Sequence, residues 1–408
     1  DPEVLKRFEY NEDYADMMAK VSKFSYEVRF LRAFYLFELA KRYGNIPLVT
    51  RTYTQEEINS IEKTPFVEVI DYIAKECSEI ALELPADQSE VRNETGRVTK
   101  GAALALKSRA LLYAASALHN PDNDPTRWEA AAKAAYEVIA MGKYQLPKIT
   151  ADELYSDKGG HEVLKSKQLI FERRATGKTN DFESRNEPMG YESAEGGNTP
   201  TQNLVDAYEL KDGTPFSWDN PVHVSNIYYD AEGKQTRDPR LYLNILTNGA
   251  TWLKQTVETF EGGKNKILDG STKTGYYLRK YMNPSVSLDP DKPNKLEHHY
   301  ILFRYAEILL NYAEAMNEWK GPDAMAEGCP LTAREALNQV RNSADMKAVT
   351  ATGTEFTEKV RNERRIELAF EGHRFYDIRR WKIAGTDEVR NIYGVKITGS
   401  DGSFSYEK

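Results

Sequence analysis

Apolar and polar positions along the chain fall into two textures. From residue 27 to about 150, and again from about 300 to 381, apolar residues return every three or four positions, the mark of helices with a buried face. Residues 29–43 are apolar on nearly every side, which predicts a helix buried between neighbours and stopped by Gly44 and Pro47. Thr64-Pro65 reads as an N-cap with proline at the first helical position. The helix it opens carries Phe66, Ile70, Ile73, Cys77, Ile80 and Leu84 on one face. Thr99 starts an Ala-rich helix running to Leu118. Thr126 with Glu129 has capping-box spacing and opens a helix over 128–141; the device recurs at Thr150/Glu153 and Thr332/Glu335.

Two helix pairs look alike. One joins 111–118 across a Pro-containing loop to 128–141, and the other joins 309–316 across a Gly/Pro loop to 332–343. Antiparallel pairs with small Ala contacts predict tetratricopeptide-like packing, although the full repeat consensus is absent. Between 151 and 297 the helical period fades, and Gly, Asn, Asp, Thr and Pro become frequent, as at Gly159-Gly160, Gly196-Gly197 and Gly262-Gly263. Strand-like runs occur at 168–171, 241–246 and 276–278. The expected architecture is mainly α: one domain over 1–408, with a helical scaffold at 1–150 and 298–385 and an irregular tail from 384. The scaffold carries a loop-rich insertion with short strands at 151–297. Insertions on a rigid scaffold are where recognition usually sits.

Residues 360–381 read VRNERRIELAFEGHRFYDIRRW, a helix signal without glycine until Gly372. Glu363, Glu367 and Glu371 fall four apart on one stripe, with Arg364 and Arg374 at i±3 spacing. Guanidinium forks meet carboxylates bidentately, so this predicts a structural clamp inside the helical core. A di-iron bundle would need Glu-x-x-His, and His373 follows Glu371 at the wrong offset.

The net charge is −8, with Lys and Arg dispersed, which excludes a concentrated nucleic-acid-binding face. Cys77 and Cys329 make no disulfide framework or zinc pattern, and Cys77 reads as a core residue. No run approaches a membrane span, and no signal peptide opens the sequence. There is no G-x-S-x-G, no phosphate-binding loop and no H-E-x-x-H. Among the His residues only His298-His299 are adjacent, and neighbours point apart. The clusters at Asp122–Asp124 and Asp289/Asp291 lack the calcium-loop ligand series. No metal site, cofactor site or catalytic site of these motif classes is therefore expected. A glycosidase needs only two carboxylates about 5–10 Å apart, so that alternative stays open.

The run at 360–381 resembles the C-terminal signature of the SusD/RagB family of starch-utilisation-type outer-membrane lipoproteins. EVRFLRAFYLFELAKRYGNIPLV (27–49), GRVTKGAALALKSRALLYAAS (96–116) and RYAEILLNYAEAMNE (304–318) agree with it. Weaker matches are TPTQNLVDAYELKDG (199–213), RDPRL (237–241) and TKTGYYLRKY (272–281), all in the family's order. The resemblance implies a SusD-like α superhelix of tetratricopeptide-like pairs. It further implies a non-catalytic glycan-binding protein of the outer membrane, of the kind found in Bacteroidota. Such a protein would capture oligosaccharide and deliver it to a SusC-like TonB-dependent porin as its lid. Family members are exported and held to the membrane only by a lipidated cysteine near the mature N-terminus. That anchor and the family's Pro-rich closing segment are not in this sequence, which is read as part of a longer chain. The alternatives are a peptide- or protein-binding scaffold of the same uptake system, or a glycoside hydrolase.

The chain holds 25 Tyr against 15 Phe and 5 Trp, rings with a polar tip suited to wet recognition surfaces. In the insertion, Phe182, Phe216, Tyr229 and Phe260 join further rings in polar, turn-rich stretches. Sugar C–H faces stack on rings while hydroxyls need planar or forked partners. The candidate ligand residues are Trp218, Asp219, Asn220, Tyr191, Arg185, Asn186, Tyr228 and Trp252. For any single ring, packing between insertion and scaffold is the competing reading. Trp128, Trp319 and Trp381 are read as core or helix-end packing.

Overall fold

The computed structural model describes residues 2–7, 14–88, 96–148, 166–173, 177–268, 270–400 and 402–408. The expected capping box at Thr150/Glu153 and the Gly159-Gly160 turn lie outside the described residues. The scaffold is an array of antiparallel helices. Helix α1 (Tyr14–Tyr43) packs on α2 (Phe66–Ile80), α2 on α3 (Lys100–Ala115), and α3 on α4 (Pro125–Ala140). The array continues after the insertion: α4 packs on α5 (Tyr305–Lys320), and α5 on both α6 (Ala333–Ser343) and α7 (Gly353–Glu367). One hydrophobic cluster runs through all seven.

The pattern in α2 behaves as its spacing predicts, burying Phe66, Val69, Ile70, Ile73, Cys77 and Ile80. Its start differs from expectation. Pro65 sits at the N-cap itself, and Asn45 Oδ1 accepts the Phe66 N–H at 2.9 Å in place of a Thr64 cap. Helix α3 is capped by Thr99 and buries almost every side chain, because its alanines let α2 and α4 approach closely. Helix α4 is capped by Asp124 with Pro125 at the first turn, not by Thr126/Glu129. The Thr332/Glu335 capping box does form, and Thr54/Glu57 makes another at a short helix.

Helix α1 corrects the expectation of burial on all sides. Phe30, Ala33, Leu36, Phe37 and Ala40 are buried, whereas Phe24, Val28, Leu31, Tyr35 and Leu39 are exposed. It is the first helix of the array, so it has helix neighbours on one side only.

Residues 300–304 also depart from the helical expectation. Tyr300–Arg304 forms strand β2, paired antiparallel with β1 (Leu169–Arg173), with Phe171 opposite Phe303 and Arg173 opposite Tyr300. This ribbon, with one strand near the start of the insertion and the other just after its end, lies against α3. The run at 241–246 is mostly helix, Pro239–Asn244, before a two-residue strand that pairs with Tyr277–Leu278. The tail holds a hairpin, Lys396–Ser400 with Ser403–Glu407, which packs Ile397, Phe404 and Tyr406 on the insertion.

After α7 the chain turns at Phe370 (φ 66°) and Gly372 (φ 79°) and enters α8 (Arg374–Arg380). Glu371 therefore lies beyond the helix, yet it still joins the buried network. Glu363 binds Arg240 and Arg341, Glu367 binds Arg240 and Arg304, and Glu371 binds Arg304 and Lys280. Arg364 instead bonds Asp377 and Asn311, and Arg374 shares no ion pair with the stripe among the described residues. The clamp is real, but its cations come from other elements. Trp128 and Trp381 are buried, each donating its ring N–H to a side chain (Asn123 and Glu314), and Trp319 packs on the core edge.

Candidate functional site

The structure divides the eight residues singled out from sequence between two apolar clusters of the insertion and the surface near them. Tyr228 (1% exposed) belongs to a cluster with Tyr208, Leu241 and Tyr276 that reaches Ile366 of α7. Trp252 (4%) and Tyr191 (7%) lie in a second cluster with Leu246, Tyr277 and Met282. The Tyr191 hydroxyl donates to the Trp252 carbonyl at 3.2 Å. All three rings are plugs, which corrects the expectation that they offer a face to a ligand: polar sequence neighbours surround them, but tertiary neighbours cover them. Asn186 is buried too, donating to the Phe182 carbonyl and accepting from Asn198.

Trp218 is half-buried, not an exposed loop ring. Its Nε1 donates to Asp206 at 3.0 Å, and it meets Phe216 edge-on at 5.6 Å between ring centroids. Asn220 spends its side chain capping the short helix Pro221–Ser225, while Asp219 and Arg185 are exposed. Trp218→Ala removes a hydrogen bond and an aromatic contact, and is expected to lower unfolding free energy by roughly 1–3 kcal/mol. Urea denaturation reads this; an unchanged midpoint at unchanged slope would place the ring outside the packing.

Beside Trp252, Glu187 is buried and forms no ion pair among the described residues. Burial, and then the Glu183 charge, push its carboxyl from 4.5 up to about 7. The folded state then holds a proton that the unfolded chain has lost. This group's stability is full below pH 4.5 and falls as pH rises towards 7. Glu187→Gln should melt higher than wild type at pH 8 and about equally at pH 5. A higher melting point for wild type at pH 8 would contradict that environment.

A concavity lies elsewhere, where α1, α3, the β1/β2 ribbon and α8 meet. This cleft, of about 850 Å³, was not anticipated from sequence. Its aromatic surface comes from Phe34 and Tyr35 of α1, Tyr300 of β2 and Tyr376 of α8. Tyr300 is 46% exposed and also borders a smaller cavity of about 280 Å³ with Phe182, Tyr281 and His298. Helix α1 turns Leu31, Tyr35, Glu38 and Arg42 towards the opening at i, i+4, i+7, i+11, so one helical face supplies an apolar half and a charged half.

The cleft floor is charged. Arg109 is buried and bidentate to Glu307 (2.5 Å to each oxygen), with its guanidinium 4.1 Å from the Phe303 ring centroid. Lys41 lies 2.5 Å from Glu38 Oε1 and 4.6 Å from the Tyr376 ring centroid. Burial, and then Arg109, pull the Lys41 amine down to about 8. Burial pushes the Glu38 carboxyl up, but Lys41 and Arg42 outweigh it and hold the group below its ordinary range. His373 is held well below its usual value by burial and by surrounding cations led by Arg109. Just before β2, adjacent His298 and His299 face opposite ways, to Glu183 (2.9 Å) and Glu172 (3.1 Å). The one sequence signal for the cleft was the exposed apolar face of α1, which the all-round hydrophobicity of 29–43 concealed.

Comparison with known proteins adds to this geometry. The SusD family model matches residues 167–406, and a model described as starch-binding associating with outer membrane matches residues 3–112. A solved structure of a SusD-like carbohydrate binding protein from Bacteroides fragilis is 30% identical, with a TM-score of 0.75, covering 92% of this chain and 70% of that one. A second SusD-like protein from Bacteroides fragilis is 29% identical with a TM-score of 0.74, covering 96% and 74%. A SusD-like protein of Formosa agariphila is 24% identical over 391 residues, 88% of this chain. The chain spans 63% of the length of that relative.

Proposed function

The chain belongs to the SusD family, and on that premise we propose that it is a non-catalytic glycan-binding protein of the outer-membrane surface. It captures oligosaccharide and delivers it to a SusC-like TonB-dependent porin, for which it acts as lid. A lipid anchor on an N-terminal cysteine outside this sequence holds it to the membrane. No helix among the described residues is long and apolar enough to cross a membrane. The likeness to the SusD-like carbohydrate binding protein supports a glycan ligand.

The observation that carries the reading is the cleft, where accessible tyrosine rings share one recess with forked side chains. Tyr35 and Tyr300 give stacking faces, and Arg42 and Glu38 give hydrogen-bonding forks for hydroxyls. A glycosidase acid needs a raised pKa, and two of the three carboxylates on the cleft lining, Glu38 and Glu371, are held low by cations, which favours binding over turnover at those two positions.

A glycan array followed by calorimetry tests this. Tyr300→Ala is expected to weaken oligosaccharide binding by about 1–3 kcal/mol, by analogy with base–aromatic stacking, with little change in melting temperature. Retention of binding by Tyr300→Ala but loss in Trp218→Ala would move the site to the Trp218–Asn220 turn. Peptide binding with no glycan hit would favour the peptide-binding alternative. Release of shortened sugar would make it a hydrolase.

A further inference from the structure

The cleft carries more positive charge than its own carboxylates answer. Glu38 is the single carboxylate shared by Lys41 and Arg42. Arg173, exposed on the opposite wall, forms no ion pair among the described residues. The other two carboxylates on the lining belong to buried side chains: Glu371 pairs with Arg304 and Lys280, and Glu172 lies 3.1 Å from His299 Nδ1. Arg109 is matched by Glu307 behind the wall. The recess therefore sets Lys41, Arg42 and Arg173 against Glu38 and the buried Glu172, and its remaining lining is largely aromatic. The Lys41 side chain is only 11% exposed, so water screens it weakly.

We propose that the cleft takes an anionic oligosaccharide, with carboxylate or sulfate groups meeting Lys41, Arg42 and Arg173 and sugar faces stacking on Tyr35 and Tyr300. This rests on the glycan-binding reading above and names the class of glycan. The chemistry is that of any cation-rich recess: a fork or ammonium meets an anionic oxygen in a charge-assisted hydrogen bond, about twice as strong as a neutral one. The chain's net charge of −8 makes this local excess contrary to the whole-molecule field, so selection for anions must come from contact in the cleft and not from long-range steering.

The test is an array that pairs each acidic oligosaccharide with a neutral form of the same backbone. Uronates are set against their methyl esters, and sulfated galactans against desulfated ones. Hits are titrated by calorimetry at 50 and 500 mM salt. The expected result is binding of acidic members at least about tenfold tighter than their neutral partners, weakened at high salt. Arg42→Gln and Arg173→Gln, both at exposed positions, should each reduce affinity about tenfold. Lys234→Gln, on an exposed turn, should have no effect. The uronate and sulfate arms identify which anion is read. Tight binding of neutral members, unmoved by salt or by the arginine variants, overturns the anionic proposal and leaves glycan capture standing. An array with no hit of either kind overturns glycan capture itself.

Discussion

Glu367→Ala is expected to lower the free energy of unfolding at pH 7 by about 3–5 kcal/mol, as breaking one side of a buried ion pair does. Glu367 accepts from Arg304 Nη1 at 2.7 Å and from Arg240 Nη1 at 2.9 Å, and both arginines are buried. Each keeps other partners: Arg304 keeps Glu371, and Arg240 keeps Asp238 and Glu363. The loss is thus a shortfall of negative charge in a closed network, not two bare cations. Burial pushes the Glu367 carboxyl up, but Arg304 and Arg240 outweigh it and take it from 4.5 down to about 2. Its contribution is present above pH 4.5 and lost as pH falls towards 2, so mutant and wild type should converge in acid. Urea denaturation at pH 7 and pH 3 measures both. Wild-type stability in the mutant at pH 7, with loss of ligand binding, would make the stripe a recognition surface and not a clamp.

Arg237→Met should be nearly as damaging, although Arg237 has no carboxylate among its hydrogen-bond partners in the described residues. This arginine is 0% exposed. It donates to the carbonyls of Val205 (2.8 Å), Tyr208 (2.6 and 3.1 Å) and Ile227 (3.2 Å), and its guanidinium lies 4.1 Å from the Phe216 ring centroid. One side chain thus ties two separate insertion segments to each other. Methionine relieves a buried charge but leaves the Tyr208 and Ile227 carbonyls unmet, each costing about 1–3 kcal/mol, while Val205 keeps the Tyr208 N–H. The net expectation is a loss of roughly 3 kcal/mol, with limited proteolysis opening the insertion near residues 205–236 before the helical array. Arg237→Lys should fail similarly, since an ammonium is too compact to span all three carbonyls. Wild-type melting and unchanged protease resistance for Arg237→Met would show that the insertion is held by its apolar clusters alone.

These two residues mark where sequence reading succeeds and stops. RDPRL was visible as a motif, and the structure gives each position a task. Arg237 gathers carbonyls, and Asp238 caps the helix that Pro239 opens. Arg240 bridges to Glu363 and Glu367, and Leu241 enters the core. The tail hairpin was also written locally and overlooked: Phe404 and Tyr406 alternate with Ser403, Ser405 and Glu407 after a Gly402 turn.

What the sequence determined by itself is what repeats within a few residues. The buried faces of α2 and of the α3/α4 and α5/α6 pairs, the Thr332 cap and the Glu363/Glu367 part of the stripe all follow from helical geometry, because i, i+3 and i+4 share a face whatever the rest of the chain does. Only the tertiary structure decided which cations meet that stripe, because Arg240 and Lys280 come from the insertion, Arg304 from β2 and Arg341 from α6. It also decided that Tyr228, Tyr191 and Trp252 are covered while Tyr300 is open. Burial of a ring in a loop depends on which distant segments fold over it, and a polar neighbour in sequence says nothing about that. The cleft belongs to the same class: α1, α3, the ribbon and α8 are far apart along the chain, and their meeting point exists only once the array has closed.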